Sequence, residues 1–233
     1  SENMSVSEES LKRYVEHASY RCYQDLLVDS RADETEGWKP IKSKRGIAIS
    51  CRRDGNKTIV MRGQSVLNIS PSKFQAVTNA IDTAKQWDKS FIEGQCLHRL
   101  EDNLNIFRLV FGRNSRSPLF RNREFIVHER REIMDDGTVV VAVTSLPQEM
   151  AAGILPPRGQ LVRGLLLYSG WVVERIQQSN ACMVTYIVQV DPAGWLPKCI
   201  ANMLVVKLVF VIYHLCRLAA VTLSTHSEEI TMK

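Results

Sequence analysis

Chemistry needs particular side chains within reach of one another, and few groupings in this chain qualify. The five histidines, at 17, 98, 128, 214 and 226, include no His-x-x-x-His pair that would place two imidazoles on one helix face for a metal. The six cysteines, at 22, 51, 96, 182, 199 and 216, are scattered without a Cys-x-x-Cys, so no zinc site is expected. Thiols spread in this way suit buried free cysteines in a reducing compartment, the cytosol. Ser169-Gly170-Trp171 lacks the flanking pattern of a Gly-x-Ser-x-Gly elbow, and no phosphate-cradling or dinucleotide-binding glycine loop is present. Asp88 and Asp191 read as residues that fix element ends, and His214 as a polar-face residue rather than a base. These residue types predict no catalytic centre, no metal and no cofactor.

Two other groupings stand out. In the alternating run 123–133, Phe125, Val127, Glu129 and Arg131 share one face. A lone carboxylate on a buried face is costly unless partnered. Glu129 therefore pairs with a nearby base, lies near water, or accepts a hydrogen bond from a ligand. The second grouping is the loop 112–123, with Arg113, Arg116, Arg121 and Arg123 around Leu119 and Phe120. Basic residues flanking an apolar pair suit docking on an anionic membrane, at about 1 kcal/mol per Arg. A solvated loop with Leu119 and Phe120 turned inward is the alternative.

The elements that must position these groups follow from periodicity. Ser7, Glu8 and Glu9 with Leu11, Val15, Ala18, Cys22 and Leu26 predict a helix over 7–27. Ser70-Pro71 opens a second one carrying Phe74, Val77, Ala80 and Ile81. Strand patterns cover 47–52, 58–61, 64–69, 91–100, 104–110, 123–133, 138–145, 161–176 and 183–191, with Asp54-Gly55 and Asp136-Gly137 as turns and 147–159 as a Pro/Gly-rich loop. About nine strands joined by tight turns pair antiparallel, which gives α+β rather than a parallel doubly wound sheet.

The longest apolar segment comes last. After Pro197, residues up to about 223 contain no further Pro or Gly and read as one long helix. Ala201, Leu204, Val205, Leu208, Val211, Ile212, Leu215, Leu218 and Ala219 fall on one broad face, opposite Lys207, His214 and Arg217. Asn202, Lys207, His214 and Arg217 argue against a membrane span. A curved antiparallel sheet folded around this helix would bury its face.

The bulk numbers agree with one domain over 1–233: 233 residues, 45% hydrophobic, 24% charged, net charge +5. Aromatic content of 7%, without basic interleaving on one sheet face, does not suit nucleic acid. The chain begins Ser-Glu-Asn-Met, without a basic and apolar leader, and reads as a module of something longer.

Several stretches resemble the START domain, the steroidogenic-acute-regulatory-related lipid-transfer family. They are Trp38 with Gly46-Ile47, the segment from Ser70-Pro71 to Trp87-Asp88, Asn122-Arg123-Glu124-Phe125, and Pro156-Pro157 followed by Val162-Arg163-Gly164. The resemblance continues through Ser169-Gly170-Trp171-Val172-Val173-Glu174, the run 184–191, and Gly194-Trp195-Leu196-Pro197-Lys198 with Asn202. It spans roughly residues 10–222 in the family's order. It implies a helix-grip fold: a curved antiparallel sheet holding the C-terminal helix over a tunnel for one lipid, of sterol or phospholipid class. It further implies non-catalytic lipid transfer or sensing by a cytoplasmic monomer that touches membranes peripherally. On that resemblance Phe125, Val127, Glu129, Ala201, Val205, Leu208 and Ile212 are the residues expected against the lipid. The docking residues are Arg113, Arg116, Leu119, Phe120 and Arg121, because the loop corresponds to the family's lid. Glu129 stands where the family often carries an arginine. A lipid-independent or lipid-regulated scaffold within a multidomain protein is the alternative.

Overall fold

Ser7 accepts a hydrogen bond from the Ser10 N–H and opens α1, Glu8–Arg31. Glu8 and Glu9 in its first turn and Arg31 in its last complement the helix dipole. The computed structural model describes residues 7–44, 46–55, 59–78, 90–112, 122–191, 212–214 and 217. Within them run β1 (Lys39–Lys44), β2 (Ile47–Arg53), β3 (Ile59–Leu67), α2 (Pro71–Thr78), β4 (Phe91–Glu101), β5 (Leu104–Phe111), β6 (Arg123–Ile133) and β7 (Val139–Ser145). The helix α3 (Gln148–Ile154) and strands β8 (Val162–Arg163), β9 (Leu165–Arg175) and β10 (Cys182–Asp191) follow. Ile212–His214 and Arg217 are helical; the remainder of the expected C-terminal helix lies outside the described residues.

One ten-stranded sheet carries the order β1-β2-β3-β10-β9-β7-β6-β5-β4, and β8 pairs in parallel with the start of β6. This refines the expected succession of hairpins. β3 pairs with β10, and β4 starts at the opposite edge of the sheet, after α2 has packed on β9 and β7. Gly63 does not split a strand as expected. It sits inside β3, opposite Ile49 and Tyr186, where ladder bonds on both sides outweigh its weak strand preference. Gly164 does split one: it parts β8 from β9. A Cβ there would stand 2.7 Å from the Phe125 ring, so the chain bends at this residue to pass the ring. Within the expected loop 147–159, the run Gln148-Glu-Met-Ala-Ala forms α3, because its residues are strong helix formers following Pro147. β1, rich in Lys with Pro40, carries no apolar alternation and is a strand because its backbone pairs with β2.

The two sheet faces are covered differently. The outer face holds α1 through two apolar clusters. One joins Leu11 and Val15 to Ile106, Ile126 and Leu146; the other joins Cys22 and Leu26 to Val140, Ala142, Val172 and Ile187. The C-terminal end of α1 is pinned by polar groups. Asp29 accepts from Arg52 at 2.6 and 3.1 Å and from the Tyr168 hydroxyl at 2.8 Å. Arg62 donates to the carbonyls of Asp29 and Ala32, and Gln64 to that of Ser30, which satisfies carbonyls that every helix end leaves unpaired. Trp38 is fully buried between the guanidinium groups of Arg52 and Arg62, at 4.7 and 4.4 Å.

His128 lies on this outer face, in register with Ile106 and Thr144. It is fully buried and neither ring nitrogen has a hydrogen-bond partner. Burial alone pushes its pKa down to about 4. A folded pKa below the unfolded one means the unfolded chain takes up a proton first on acidification. Stability is therefore complete above pH 6.5 and falls between pH 6.5 and 4, by roughly 3 kcal/mol. Denaturant titrations across that range should show the loss, and His128→Leu should flatten it. An unchanged slope in the variant would assign the loss elsewhere.

Candidate functional site

The opposite, inner face of the sheet is built by strand alternation. Ile47 and Ile49 of β2, Met61 of β3, Phe125 and Val127 of β6, Val139 and Val141 of β7, Trp171 and Val173 of β9, and Val184, Val188 and Val190 of β10 form one apolar cluster. Phe74 from α2 and Ile212 from the C-terminal segment complete it. Ile212 is fully buried while Arg217 is exposed, as the expected division of the C-terminal helix into faces requires. The structure thus brings together three of the residues expected to meet a ligand: Phe125, Val127 and Ile212. Ala201, Val205 and Leu208 lie outside the described residues, as do all five expected docking residues, Arg113, Arg116, Leu119, Phe120 and Arg121.

Packing along the inner face is uneven. Val173, Val184 and Val188 in the middle of the sheet are closed completely. Phe107, Leu109 and Phe111 of β5, Val143 of β7 and Leu166 of β9 face the same side yet stay partly exposed. The β2–β3 side of the sheet is partly open through Cys51, Ile59 and Leu67, and so is the wing built by β5, β6 and β7. Its rim carries an aromatic chain, Phe91 against Phe111 at 5.6 Å and Phe111 against Phe125 at 5.8 Å, both edge-on. Towards the middle, Trp171 stacks on Tyr186 at 4.2 Å and meets Phe74 at 5.6 Å.

Polar groups on this face include Ser169, whose hydroxyl donates to the Val143 carbonyl at 2.7 Å, and a group on β5 and β6. Glu129 is paired with a nearby base: its Oε1 accepts from Arg131 Nε at 2.7 Å, and both side chains are largely but not wholly covered. Asn105 pairs with Glu129 across the β5–β6 ladder and alternates onto the same side as Phe107 and Leu109. Its amide oxygen is buried without a hydrogen-bond partner. Asn105, Phe107, Leu109 and Phe111 carry a visible alternation in sequence, but only the β5–β6 register sets Asn105 beside Glu129.

A second charge cluster braces the end of the sheet near Phe125. Glu124 is buried. Its Oε2 accepts from Arg108 Nε at 2.6 Å, and its Oε1 from Arg163 at 2.5 and 3.1 Å. Arg163 also donates to the Leu155 carbonyl at 2.6 Å, and Arg108 to Glu93 at 2.8 Å. Burial raises the Glu124 carboxyl, but the bonds from Arg163 and Arg108 outweigh it and hold the group below the usual carboxylate range. This cluster ties the connection between α3 and β8 to the strand that carries Phe125. No group of three or more potential metal ligands occurs among the described residues, and no described helix is long and apolar enough to cross a membrane.

The architecture has close counterparts of known structure. Human StAR-related lipid transfer protein 5 superimposes with a TM-score of 0.79 at 17% identity, over 91% of this chain and 99% of that one. Human STARD10 gives 0.71 at 20% identity, over 89% and 83%. In sequence, mouse START domain-containing protein 10 is 24% identical over 176 residues, which are 74% of this chain and 57% of the relative. The chain therefore matches little more than half the length of that relative. The START domain family model matches residues 19–220. The sheet with α1 on its outer face, the inner apolar cluster reached by Ile212 and the family match over most of the length lead to one assignment: the chain belongs to the START domain family and has its helix-grip fold.

Proposed function

We propose that this chain binds one lipid, of sterol or phospholipid class, without covalent chemistry, in a tunnel against the inner face of its sheet, and carries or senses it at membranes. The observation that carries the reading is the partly open apolar lining of the inner face, Phe107, Leu109, Phe111 and Val143 among others, around a middle that is closed. Side chains that face a protein interior and still keep accessible surface are what a ligand site requires. Family membership and the likeness to a lipid transfer protein support it. Phe125, Val127, Glu129 and Ile212 are the described residues proposed to line the site, with Ala201, Val205 and Leu208 on the C-terminal segment.

The proposal extends to peripheral contact with anionic membranes through Arg113, Arg116, Leu119, Phe120 and Arg121. It includes residence in the cytoplasm as a monomer. Free cysteines at 22, 51, 96 and 182 suit a reducing compartment. Both sheet edges are blunted against pairing with a second copy, β1 by Lys39 and Pro40 and β4 by three register shifts against β5.

Native mass spectrometry of the purified chain after incubation with mixed sterol and phosphatidylcholine vesicles tests the reading. The expected result is a mass increase of one lipid per chain, with faster pick-up from anionic than from neutral vesicles. A chain that takes up no lipid from either would replace this reading with the scaffold one.

A further inference from the structure

The seam between α1 and the outer face of the sheet encloses a polar group with nothing to bond. On that side of β6, Ile126, His128 and Arg130 follow one another at every second position. Ile126 packs in the cluster of Leu11 and Val15, and Arg130 donates to the Glu16 carbonyl at 3.3 Å and the Ser19 hydroxyl at 3.2 Å, all on α1. His128, between them, lies under the same helix and is fully buried. Neither ring nitrogen has a partner among the described residues, and neither does the hydroxyl of Thr144, which stands opposite it on β7. A neutral imidazole can stay in such a seam, but an imidazolium needs a counter-charge. The surroundings supply none. Arg130 is taken up by Glu132, and Arg108 of β5 by Glu93 and by Glu124 of β6. On α1, Tyr14, Ser19 and the Cys22 thiol are covered and uncharged, while Glu16, His17 and Asp25 are exposed. β4 brings Leu97 and Leu100, β5 Ile106, β7 Thr144 and α3 Ala151, none of them titratable.

We propose that His128 is a proton-operated latch on α1: when its imidazole takes up a proton, the helix leaves the outer face of the sheet, and a lipid on the inner face is held less firmly. β6 itself links the two faces, since Val127 and Glu129, the chain neighbours of His128, alternate onto the inner one. The helix half of the inference stands without a ligand; the lipid half rests on the lipid-binding reading above. Burial lowers the His128 pKa from 6.5 to about 4, so a ring freed by lifting α1 takes up a proton at pH values where the covered ring stays neutral. Linkage then raises the opening equilibrium of α1 by about twentyfold between pH 7 and pH 5.

Amide hydrogen exchange of the full chain, corrected for the pH dependence of the intrinsic rate, tests the helix half. Protection in α1 should fall about twentyfold from pH 7 to pH 5, while the β9–β10 ladder keeps its protection. His128→Leu should abolish the fall. His128→Gln, polar but without charge, should abolish it too, even where α1 is less protected at both pH values. Equal protection of α1 at pH 7 and pH 5 in wild type, a fall that persists in both variants, or a fall spread evenly over the sheet would each overturn the latch. For the lipid half, chains loaded with cholesterol or palmitoyl-oleoyl phosphatidylcholine are mixed with neutral phosphatidylcholine acceptor vesicles. Release should be several-fold faster at pH 5 than at pH 7 in wild type and equal at both in His128→Leu. Release that ignores pH in wild type would overturn the link from latch to cargo. Failure to load either lipid would instead overturn the lipid-binding reading, and the exchange result would still decide the latch.

Discussion

Replacing Gly170 by alanine is expected to destabilise the protein by about 3 kcal/mol or more, enough to remove much of a typical domain's margin. Gly170 lies in β9 opposite Ala142 and beneath α1. A Cβ at this position would overlap the Val141 carbonyl oxygen and come within 2.5 Å of Leu26 Cδ1. The obstacle on one side is sheet backbone, which cannot rotate away. On the other side is a fully buried leucine at the centre of the helix contact. Either α1 lifts off its cluster of Val140, Ala142 and Val172, or the β7–β9 ladder gives way. Chemical denaturation should report the loss, and amide exchange should locate it in α1. Gly153→Ala is the control: Gly153 is on α3 with nothing within 4 Å of the added carbon, so this change should be neutral or slightly stabilising. Equal stability of Gly170→Ala and wild type would show that α1 sits less closely on the sheet than described.

The second large effect is expected at Glu124. Glu124→Leu removes the shared partner of two guanidinium groups that are only 17% and 11% exposed. Breaking a buried pair by deleting one member costs about 3–5 kcal/mol, because the remaining charge stays buried without compensation. Arg108 keeps Glu93 and Arg163 keeps the Leu155 carbonyl, so the loss should fall towards the lower end of that range. The pH signature separates this site from His128. A carboxyl held below its ordinary value contributes stability that is present above its unfolded pKa and lost as the pH falls through the folded one. The Glu124 contribution therefore disappears at lower pH than the His128 contribution, which is lost between pH 6.5 and 4. Wild type minus Glu124→Leu, followed from pH 7 to pH 3, should shrink mainly in the acidic half. A difference that is flat with pH would mean that the leucine acts through packing rather than through charge.

Both sites bear on the proposed function through position. Glu124 adjoins Phe125 at the aromatic rim of the wing built by β5, β6 and β7, and Gly170 adjoins Trp171, which stacks against Tyr186 on the inner face. Partial disruption of either should therefore loosen lipid retention before the fold is lost.

Much of this was legible in the residues themselves. Helix α1 follows from a cap and a 3.6-residue apolar repeat, and β6 from a period of two, both confined to short windows of sequence. The same alternation put Phe125, Val127, Glu129 and Arg131 on one face, and the ordered motifs indicated the family before any contact was known. Periodicity could say which residues turn together, but not what they turn towards. That β3 pairs with β10, that Glu124 is shared by Arg108 and Arg163, and that Asn105 stands beside Glu129 depend on ladders between segments far apart in the chain. The glycines make the same point. Gly63 and Gly164 look alike as strand breakers, yet only Gly164 parts two strands, because the Phe125 ring passes beside it, while Gly63 is held by ladders on both sides. Local sequence determined the elements and their faces, because those depend on neighbours along the chain. The tertiary structure decided partners and register, because those depend on which distant surfaces fit against each other.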